Sequence, residues 1–205
     1  MRKQAEIVSI KSKDAYKRAA GMIKKGGIII VPTETVYGFA ANAFNVYAQR
    51  KIYKLKKRSE KKPLVIMACD IESIKSLVEI SPKALKLAER FWPGQLTLVF
   101  PSTELGKILS GGRETLGIRI PDNKFVLKLL RELTSPIWTT SVNISSKKSA
   151  KTFEETLPFL KSVDLIVDGG QCKYSFESTV IDVSQFPYVV IREGCLDKKE
   201  VLKYI

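Results

Sequence analysis

Polar side chains that suit phosphate or carboxylate ligands occur at four places in this sequence. Each place lies at the predicted end of a strand or helix, and the strand ends of open α/β sheets are where ligands bind. Lysine and arginine neutralise phosphate charge, while hydroxyls and amides bind its oxygens. The four places are residues 33–35 (Thr-Glu-Thr), Lys56 with Arg58, Ser141 with Asn143, and Ser178 with Thr179.

Two arginines, Arg119 and Arg192, lie on predicted strands that are otherwise apolar. A buried arginine is costly unless it has an anionic partner. Its guanidinium also binds carboxylate or phosphate through two parallel hydrogen bonds. Both arginines are therefore predicted to have an anionic partner, for which a carboxylate or a phosphate is suited.

Each of these places also has an ordinary structural explanation. A threonine at 33 or 35 could be a helix N-cap. Lys56 and Arg58 could be a solvated helix C-terminus, where cations suit the helix dipole. Ser141 and Asn143 could form a local turn that satisfies only the backbone. The residue types alone leave these alternatives open.

The composition removes several classes of chemistry. The sequence contains no histidine, which excludes histidine-dependent triads and leaves carboxylate, Lys, Tyr or Cys for acid–base work. Cys69, Cys172 and Cys195 are an odd number at wide spacings, so we expect reduced thiols in a cytoplasm. The first ten residues show no apolar leader, and no apolar run approaches the ~20 residues of a membrane span.

The strongest overall property is the charge. Thirty-five Lys and Arg against 21 Asp and Glu give a formal net charge of +14. Such a surface attracts polyanions, nucleic acid first. Base bias of the genome or thermal adaptation can produce the same composition, so the charge predicts an anionic partner without naming it.

The fold prediction is built around residues 28–41. Residues 28–31 are β-branched and read as a buried strand, which Pro32 ends. Helices and strands alternate at first, and strands crowd together near the end. This pattern predicts one α/β (α+β) domain over residues 1–205, with a twisted sheet of parallel and antiparallel strands flanked by helices.

Three element predictions depend on local signals. The polar residues 103–114, which contain two adjacent glycines, are predicted to be a loop. Residues 70–78 are predicted to form a helix opened by Asp70, with its apolar residues facing inward. Asp122 is predicted to cap a helix that ends near Leu133.

Six motifs in this order resemble the YrdC/TsaC family of threonylcarbamoyl-adenylate synthases. They cover nearly the whole chain, from about residue 5 to residue 196, and the chain ends where single-domain members end. The motifs are PTETVYG (32–38), the K-x-R of Lys56 and Arg58, WPGQLT (92–97), RIPD (119–122), SVN (141–143) and STVID (178–182).

The resemblance implies that L-threonine, bicarbonate and ATP react to give threonylcarbamoyl-AMP and pyrophosphate. The product would feed formation of N6-threonylcarbamoyladenosine in tRNA in the cytoplasm. The concave face of the sheet would form a basic cavity, and Mg2+ would be held through the phosphates. Implied partners are proteins that transfer the threonylcarbamoyl group and tRNA or double-stranded RNA, with no membrane involved.

The resemblance also implies the roles of particular residues. No side chain acts as a nucleophile, and Lys56 and Arg58 would stabilise the charge that develops during reaction. The implied ATP contacts are Lys56, Arg58, Thr115, Ser141, Asn143 and Arg192. The implied threonine contacts are Thr33, Ser178 and Arg119, the last through the carboxylate.

The sequence departs from the family pattern at four positions. Met67 and Asn123 stand where many members have histidine, Ser59 replaces a common proline, and Ser146 a common glycine. Met67 falls in the implied threonine pocket. The alternatives are therefore a YciO-like nucleotide- or RNA-binding paralogue, a non-catalytic protein that binds double-stranded RNA or tRNA, and a carbamoyl-transfer module like that of HypF.

Overall fold

The computed structural model describes residues 4–60 and 62–204. Residues 1–3, Lys61 and Ile205 lie outside it. Parts of the predicted 1–205 domain and of the first ten residues, which were predicted to contain no apolar leader, are therefore not described. The strands are β1 Glu6–Ser9, β2 Ile29–Val31, β3 Gly38–Asn42, β4 Val65–Met67, β5 Leu96–Pro101, β6 Thr115–Arg119, β7 Ile137–Ser141, β8 Leu165–Asp168, β9 Thr179–Asp182 and β10 Val189–Arg192. The helices are α1 Ala15–Lys24, α2 Val46–Lys56, α3 Pro82–Phe91, α4 Glu104–Ser110, α5 Lys124–Leu133 and α6 Lys198–Leu202, with 3-10 turns at Glu72–Ile74 and Glu154–Phe159.

Within the described residues the strands form one ten-stranded sheet in the order β1-β8-β2-β3-β7-β4-β6-β5-β9-β10. The pairs β1–β8, β8–β2, β4–β6 and β5–β9 are parallel, and the other neighbours are antiparallel. The predicted mixed sheet is therefore confirmed. In the part of the chain that is described, none of the helices is long and apolar enough to cross a membrane.

Strand β2 lies inside the sheet and separates two hydrophobic cores. Ile30 packs into the core shared with α2 and α3, while Ile29 and Val31 pack into the core shared with α1 and α5. Successive side chains of a strand point to opposite faces, so a run of β-branched residues fills both cores. The prediction of a fully buried strand at residues 28–31 is confirmed.

Strand β3 was not among the predicted strands. It pairs antiparallel with β2 on one side and with β7 on the other. Its glycine and two alanines have weak strand preference, so the strand depends on its two neighbours rather than on its own composition. Phe39 alone carries a large side chain, and that side chain is fully buried.

The loop prediction for residues 103–114 was wrong, because helix α4 occupies most of that range. The Thr103 hydroxyl accepts a hydrogen bond from the Gly106 amide at 3.2 Å, and Gly111 ends the helix in the left-handed conformation. Gly106 lies directly against the Leu77 carbonyl. The N-cap and this close backbone contact outweigh the polar composition.

Two predictions about helix starts also need correction. The carboxylate of Asp70 accepts a hydrogen bond from the Ser73 amide at 2.8 Å, but only a 3-10 turn follows instead of a helix to residue 78. The cap of α5 is Asn123, which accepts from the Val126 amide at 3.1 Å. Asp122 fails as the cap because it lies one residue earlier, where its amide donates to Glu34.

Two helical glycines give opposite predictions for substitution by alanine. A Cβ at Gly106 would lie 2.0 Å from the Leu77 carbonyl oxygen, whereas no heavy atom lies within 4 Å of a Cβ at Gly21 in α1. We expect Gly106→Ala to lower the free energy of unfolding by about 1–3 kcal/mol. Gly21→Ala should raise it by up to about 1 kcal/mol through helix propensity. Urea denaturation of both variants checks this, and effects of equal sign would contradict it.

Candidate functional site

A cleft of about 620 Å³ opens over the middle of the sheet, where β3, β7, β4, β6 and β5 lie side by side. Gly38 leaves room at its floor, since a Cβ there would lie 2.9 Å from the Thr139 hydroxyl. Six of the predicted site residues line this cleft. They are Thr33, Arg58, Arg119, Ser141, Ser178 and Arg192.

Arg119 is the most deeply buried cation of the cleft, with a relative exposure of 4%. Its Nη2 donates to Glu34 Oε1 at 2.5 Å, its Nη1 to Thr35 Oγ1 at 2.9 Å and its Nε to the Gly94 carbonyl at 2.9 Å. A guanidinium carries five N–H donors. These bonds therefore hold Arg119 in one orientation and leave donors that can bind a ligand.

Glu34 supplies the charge that permits Arg119 to be buried. Its Oε1 also accepts a hydrogen bond from the Asp122 amide at 3.0 Å, while its buried Oε2 has no hydrogen-bond partner among the described residues. Glu34 and Thr35 belong to the polar place predicted at residues 33–35, but neither was assigned a ligand from the sequence. The signal in the sequence was their position within PTETVYG. A buried arginine needs a carboxylate partner, and Glu34 is the carboxylate of that motif.

The Thr33 hydroxyl is used within its own turn. It donates to the Val36 carbonyl at 2.6 Å, so the Thr35 hydroxyl must be the donor in the 2.8 Å bond between the two threonines. Thr33 Oγ1 also accepts from the amides of residues 35 and 36. The structure thus places Thr33 at the cleft with its hydroxyl already satisfied.

Lys56 lies behind the cleft rather than in its lining, with a relative exposure of 1%. Its ammonium donates to the Ser141 carbonyl, to the Asn143 carbonyl at 3.3 Å and to Asn143 Oδ1. These bonds use all three N–H donors. Burial lowers the pKa of Lys56 from 10.5 to about 7, with Arg58 adding to the decrease and Glu177 opposing it.

Asn143 is likewise bound within its own loop. Its Oδ1 accepts from the Ser141 hydroxyl at 3.0 Å as well as from Lys56, and its amide group donates to the Lys147 carbonyl at 2.6 Å. These are the bonds expected of the local-turn alternative. Ser141 lines the cleft and Asn143 does not, so only one of these two predicted nucleotide contacts faces the cleft.

Arg58 and Arg192 bring two further positive charges to the cleft. Arg58 donates to the carbonyls of Lys62 at 3.2 Å and Pro63 at 3.0 Å, and burial lowers its pKa. Arg192 donates to the Ser178 carbonyl through Nε at 3.1 Å and Nη2 at 2.8 Å. Arg192 as a whole is exposed, but desolvation of its guanidinium against Ser178 lowers its pKa; Glu177 opposes this, and the nearby charges of Arg119 and Arg58 add to it. An anion bound among the three arginines would relieve their repulsion.

The remaining predicted residues differ in their distance from the cleft. Ser178 is buried, and its hydroxyl shares a 2.8 Å hydrogen bond with Thr97. Met67 lines the cleft beside Arg119, its register partner in the neighbouring strand. Thr115 begins β6, about 13 Å along the strand from Arg119, and is not part of the lining.

Tyr37 and Glu177 line the cleft although sequence analysis gave them no role. The Tyr37 hydroxyl donates to the Gly170 carbonyl at 2.8 Å, and burial raises the pKa of this phenol to about 12. Tyr37 is therefore a neutral, fixed wall of the cleft. Glu177 directly precedes the STVID motif, and a carboxylate at that position was the signal available in the sequence.

The mixed sheet and its arginine-lined cleft define an α/β protein whose cleft suits small anionic ligands. A family model described as "Telomere recombination", which covers Sua5, YciO and YrdC proteins, matches residues 21–194. The chain belongs to this Sua5/YciO/YrdC family. The resemblance found in the six motifs is thereby confirmed.

Relatives with assigned names match nearly the whole chain. A threonylcarbamoyl-AMP synthase of Pyrococcus abyssi is 40% identical over 190 residues, which are 91% of this chain and 56% of that protein. A Bacillus subtilis protein of the same name is 38% identical over 188 residues, or 90% of this chain and 54% of its own. The chain thus spans about half the length of these two relatives.

Two solved structures share the fold. The crystal structure of P. abyssi Sua5 complexed with L-threonine superposes with a TM-score of 0.92 at 37% identity, covering 99% of this chain and 61% of the other. Escherichia coli YciO superposes with a TM-score of 0.86 at 26% identity, covering 95% of this chain and 98% of the other. Both agree with the predicted fold class.

The two cations of the K-x-R motif should respond differently to substitution by methionine. Lys56→Met removes the Lys56 donor from the Ser141 and Asn143 carbonyls and leaves Asn143 Oδ1 with the Ser141 hydroxyl alone; each carbonyl left unpaired costs about 1–3 kcal/mol. Arg58 is partly exposed and bonded only to nearby carbonyls, so Arg58→Met should change the unfolding free energy by less than about 1 kcal/mol. Chemical denaturation measures both, and equal losses would contradict a structural role for Lys56.

Proposed function

We propose that this protein is an L-threonylcarbamoyladenylate synthase, which makes threonylcarbamoyl-AMP and pyrophosphate from L-threonine, bicarbonate and ATP. One observation carries the proposal: Arg58, Arg119 and Arg192 line one cleft together with serine and threonine hydroxyls. ATP, bicarbonate and the threonine carboxylate are all anionic, so they suit such a cleft. The names of the P. abyssi and B. subtilis relatives support the same reaction.

The ligands divide between two parts of the cleft. Arg58, Ser141 and Arg192 form the nucleotide part, and Arg119 and Ser178 form the threonine part. The polar groups of Lys56 and Asn143 are already hydrogen-bonded within the protein. We therefore assign both residues the role of shaping the 141–143 loop beside the nucleotide part. Thr33 supports the threonine part through its turn, and a contact between Thr115 and the nucleotide stays a prediction from the family pattern.

The proposed chemistry needs no nucleophile from the protein. Threonine and bicarbonate first combine to N-carboxylated threonine, with loss of water and a proton. An oxygen of this carbamate attacks the α-phosphorus of ATP, the bond from that phosphorus to the bridging oxygen breaks, and pyrophosphate leaves. The protein contributes by holding the two reactants in line and by neutralising phosphate charge. Fixed arginines do this without reorganising during the reaction, and Arg119 in particular is already oriented by Glu34, Thr35 and Gly94.

Magnesium enters this proposal as part of the nucleotide substrate. Among the described residues no group of three or more His, Cys, Asp and Glu side chains could hold a metal ion. Mg2+ binds few protein groups when phosphate oxygens and water can complete its coordination. We therefore place it on the phosphates of ATP rather than on a protein site.

The proposal extends to the use of the product. Threonylcarbamoyl-AMP would be passed to cytoplasmic proteins that transfer the threonylcarbamoyl group to adenosine in tRNA. The net charge of +14 supports direct attraction of tRNA or double-stranded RNA to the protein surface.

The function is tested by following pyrophosphate release. We expect release to require ATP, threonine and bicarbonate together. Arg58→Ala should weaken ATP binding roughly 10- to 100-fold, the effect of losing a charge-assisted hydrogen bond. Arg50→Ala removes the same charge from an exposed position on the same helix, α2, and should leave ATP binding unchanged.

Equal rates of pyrophosphate release with and without threonine would overturn the synthase assignment. Retained ATP binding without threonine-dependent turnover would instead favour a YciO-like protein, since Met67 stands where many synthases have histidine. Binding of double-stranded RNA without any turnover would favour the non-catalytic RNA-binding alternative.

Replacement of Met67 should matter far less than loss of Arg119. Met67→His adds one neutral hydrogen bond, so we expect the KM for threonine to fall by at most about 10-fold. Arg119 must be replaced together with its buried partner, because Glu34 alone would be left as an unpaired charge. Glu34→Gln/Arg119→Gln should raise that KM roughly 100-fold or more, with thermal unfolding as the control for folding. A larger effect at Met67 would show that Arg119 does not bind the carboxylate.

A further inference from the structure

Glu177 is the one carboxylate among the described residues that line the cleft. The other ionisable side chains of the lining are Tyr37 and three arginines. The side chain is half-buried, and its Oε1 accepts a hydrogen bond from the Ser149 hydroxyl at 2.6 Å. A carboxylate repels ATP and bicarbonate. Part of its charge is balanced by Arg192, and a ligand that carries a positively charged group would suit the rest.

Glu177 lies where the two parts of the cleft meet. It is adjacent in sequence to Ser178 of the threonine part. Its charge also raises the pKa of Lys56 and of Arg192, which belong to the nucleotide part. In the proposed reaction, this boundary is where the nitrogen of the amino acid must lie, between its own carboxylate on Arg119 and the α-phosphate of ATP.

We infer that Glu177 binds the α-ammonium group of the amino-acid substrate and so makes the cleft specific for amino acids over hydroxy acids. The inference rests on the proposed function. An amino acid in this cleft is a zwitterion whose carboxylate binds Arg119. Glu177 supplies the opposite charge at the other end of the same small molecule, and the Ser149 hydroxyl holds it in place.

A metal ion is the other cation that a carboxylate could bind. Magnesium takes six ligands in near-ideal octahedral geometry, and the described residues contain no cluster of acidic side chains to provide them. An ammonium group requires only a single charged acceptor and nearby hydroxyls. Glu177, held by the Ser149 hydroxyl from behind the cleft and followed by Ser178 in its lining, therefore suits the amine.

The test compares threonine with 2,3-dihydroxybutanoate, in which a hydroxyl replaces the amine. Isothermal titration measures both ligands, and separately MgATP, on the wild type and on Glu177→Gln. We expect Glu177→Gln to weaken threonine binding roughly 10- to 100-fold. Binding of 2,3-dihydroxybutanoate should change little and MgATP should bind at least as tightly. Glu89→Gln removes the same charge from an exposed position on α3 and serves as the control.

The outcomes separate this inference from the proposed function. A wild type that binds neither threonine nor ATP would overturn both. If the wild type and Glu177→Gln bind threonine equally well, only the role of Glu177 is wrong. The same conclusion follows if Glu177→Gln binds threonine and 2,3-dihydroxybutanoate more weakly by the same factor. Weaker MgATP binding in Glu177→Gln would show that the carboxylate acts on the metal instead. Should Glu177→Gln fail to fold, the wild type alone decides, since it must prefer threonine to 2,3-dihydroxybutanoate by about the same factor.

Discussion

The buried ion pair between Arg119 and Glu34 fixes the position of everything around the cleft. Arg119 projects from β6 in the middle of the sheet, while Glu34 belongs to the turn after β2, four strands away in the sheet order. The pair also binds the Gly94 carbonyl and the Asp122 amide. A buried charge that loses its partner costs several kcal/mol. The turn, β6, the chain before β5 and the start of α5 are consequently held in one arrangement.

This pairing divides the charge of the cleft unevenly. Glu34 balances Arg119 and the half-buried Glu177 partly balances Arg192, whereas Arg58 forms no ion pair among the described residues. The threonine part is thus nearly neutral before a ligand enters, and the nucleotide part carries excess positive charge. A zwitterionic amino acid and a polyanionic nucleotide suit that division. The same electrostatics limits affinity for free anions in the threonine part, since any carboxylate there must bind donors of Arg119 that Glu34 does not use.

Sequence reasoning succeeded where local pattern and tertiary structure agree, and failed where a single contact decided the outcome. Strand β2 was predictable because its β-branched residues fill both cores. Strand β3 was not predictable, because it depends on pairing with a neighbour at each edge. Helix α4 was not predictable either, because it depends on the contact between Gly106 and the Leu77 carbonyl. The cleft was predicted through its motifs, with six of the nine predicted ligand residues lining it. What the motifs could not show was which polar atoms are already bonded within the protein.

The K-x-R motif shows why that distinction matters. Lys57 takes the left-handed conformation that ends helix α2, so Lys56 turns inward beneath Phe39 and Arg58 turns toward the cleft. Both cations occupy motif positions, yet Lys56 already donates all three of its N–H groups to the 141–143 loop. A family pattern shows that a residue type is needed at a position. Binding a ligand and holding a loop in place both create that need. The two roles are distinguished by comparing the N–H donors of each side chain with the acceptors already bonded to them. An ammonium whose three N–H groups are all bonded within the protein acts on a ligand only through its charge and through the loop that it holds.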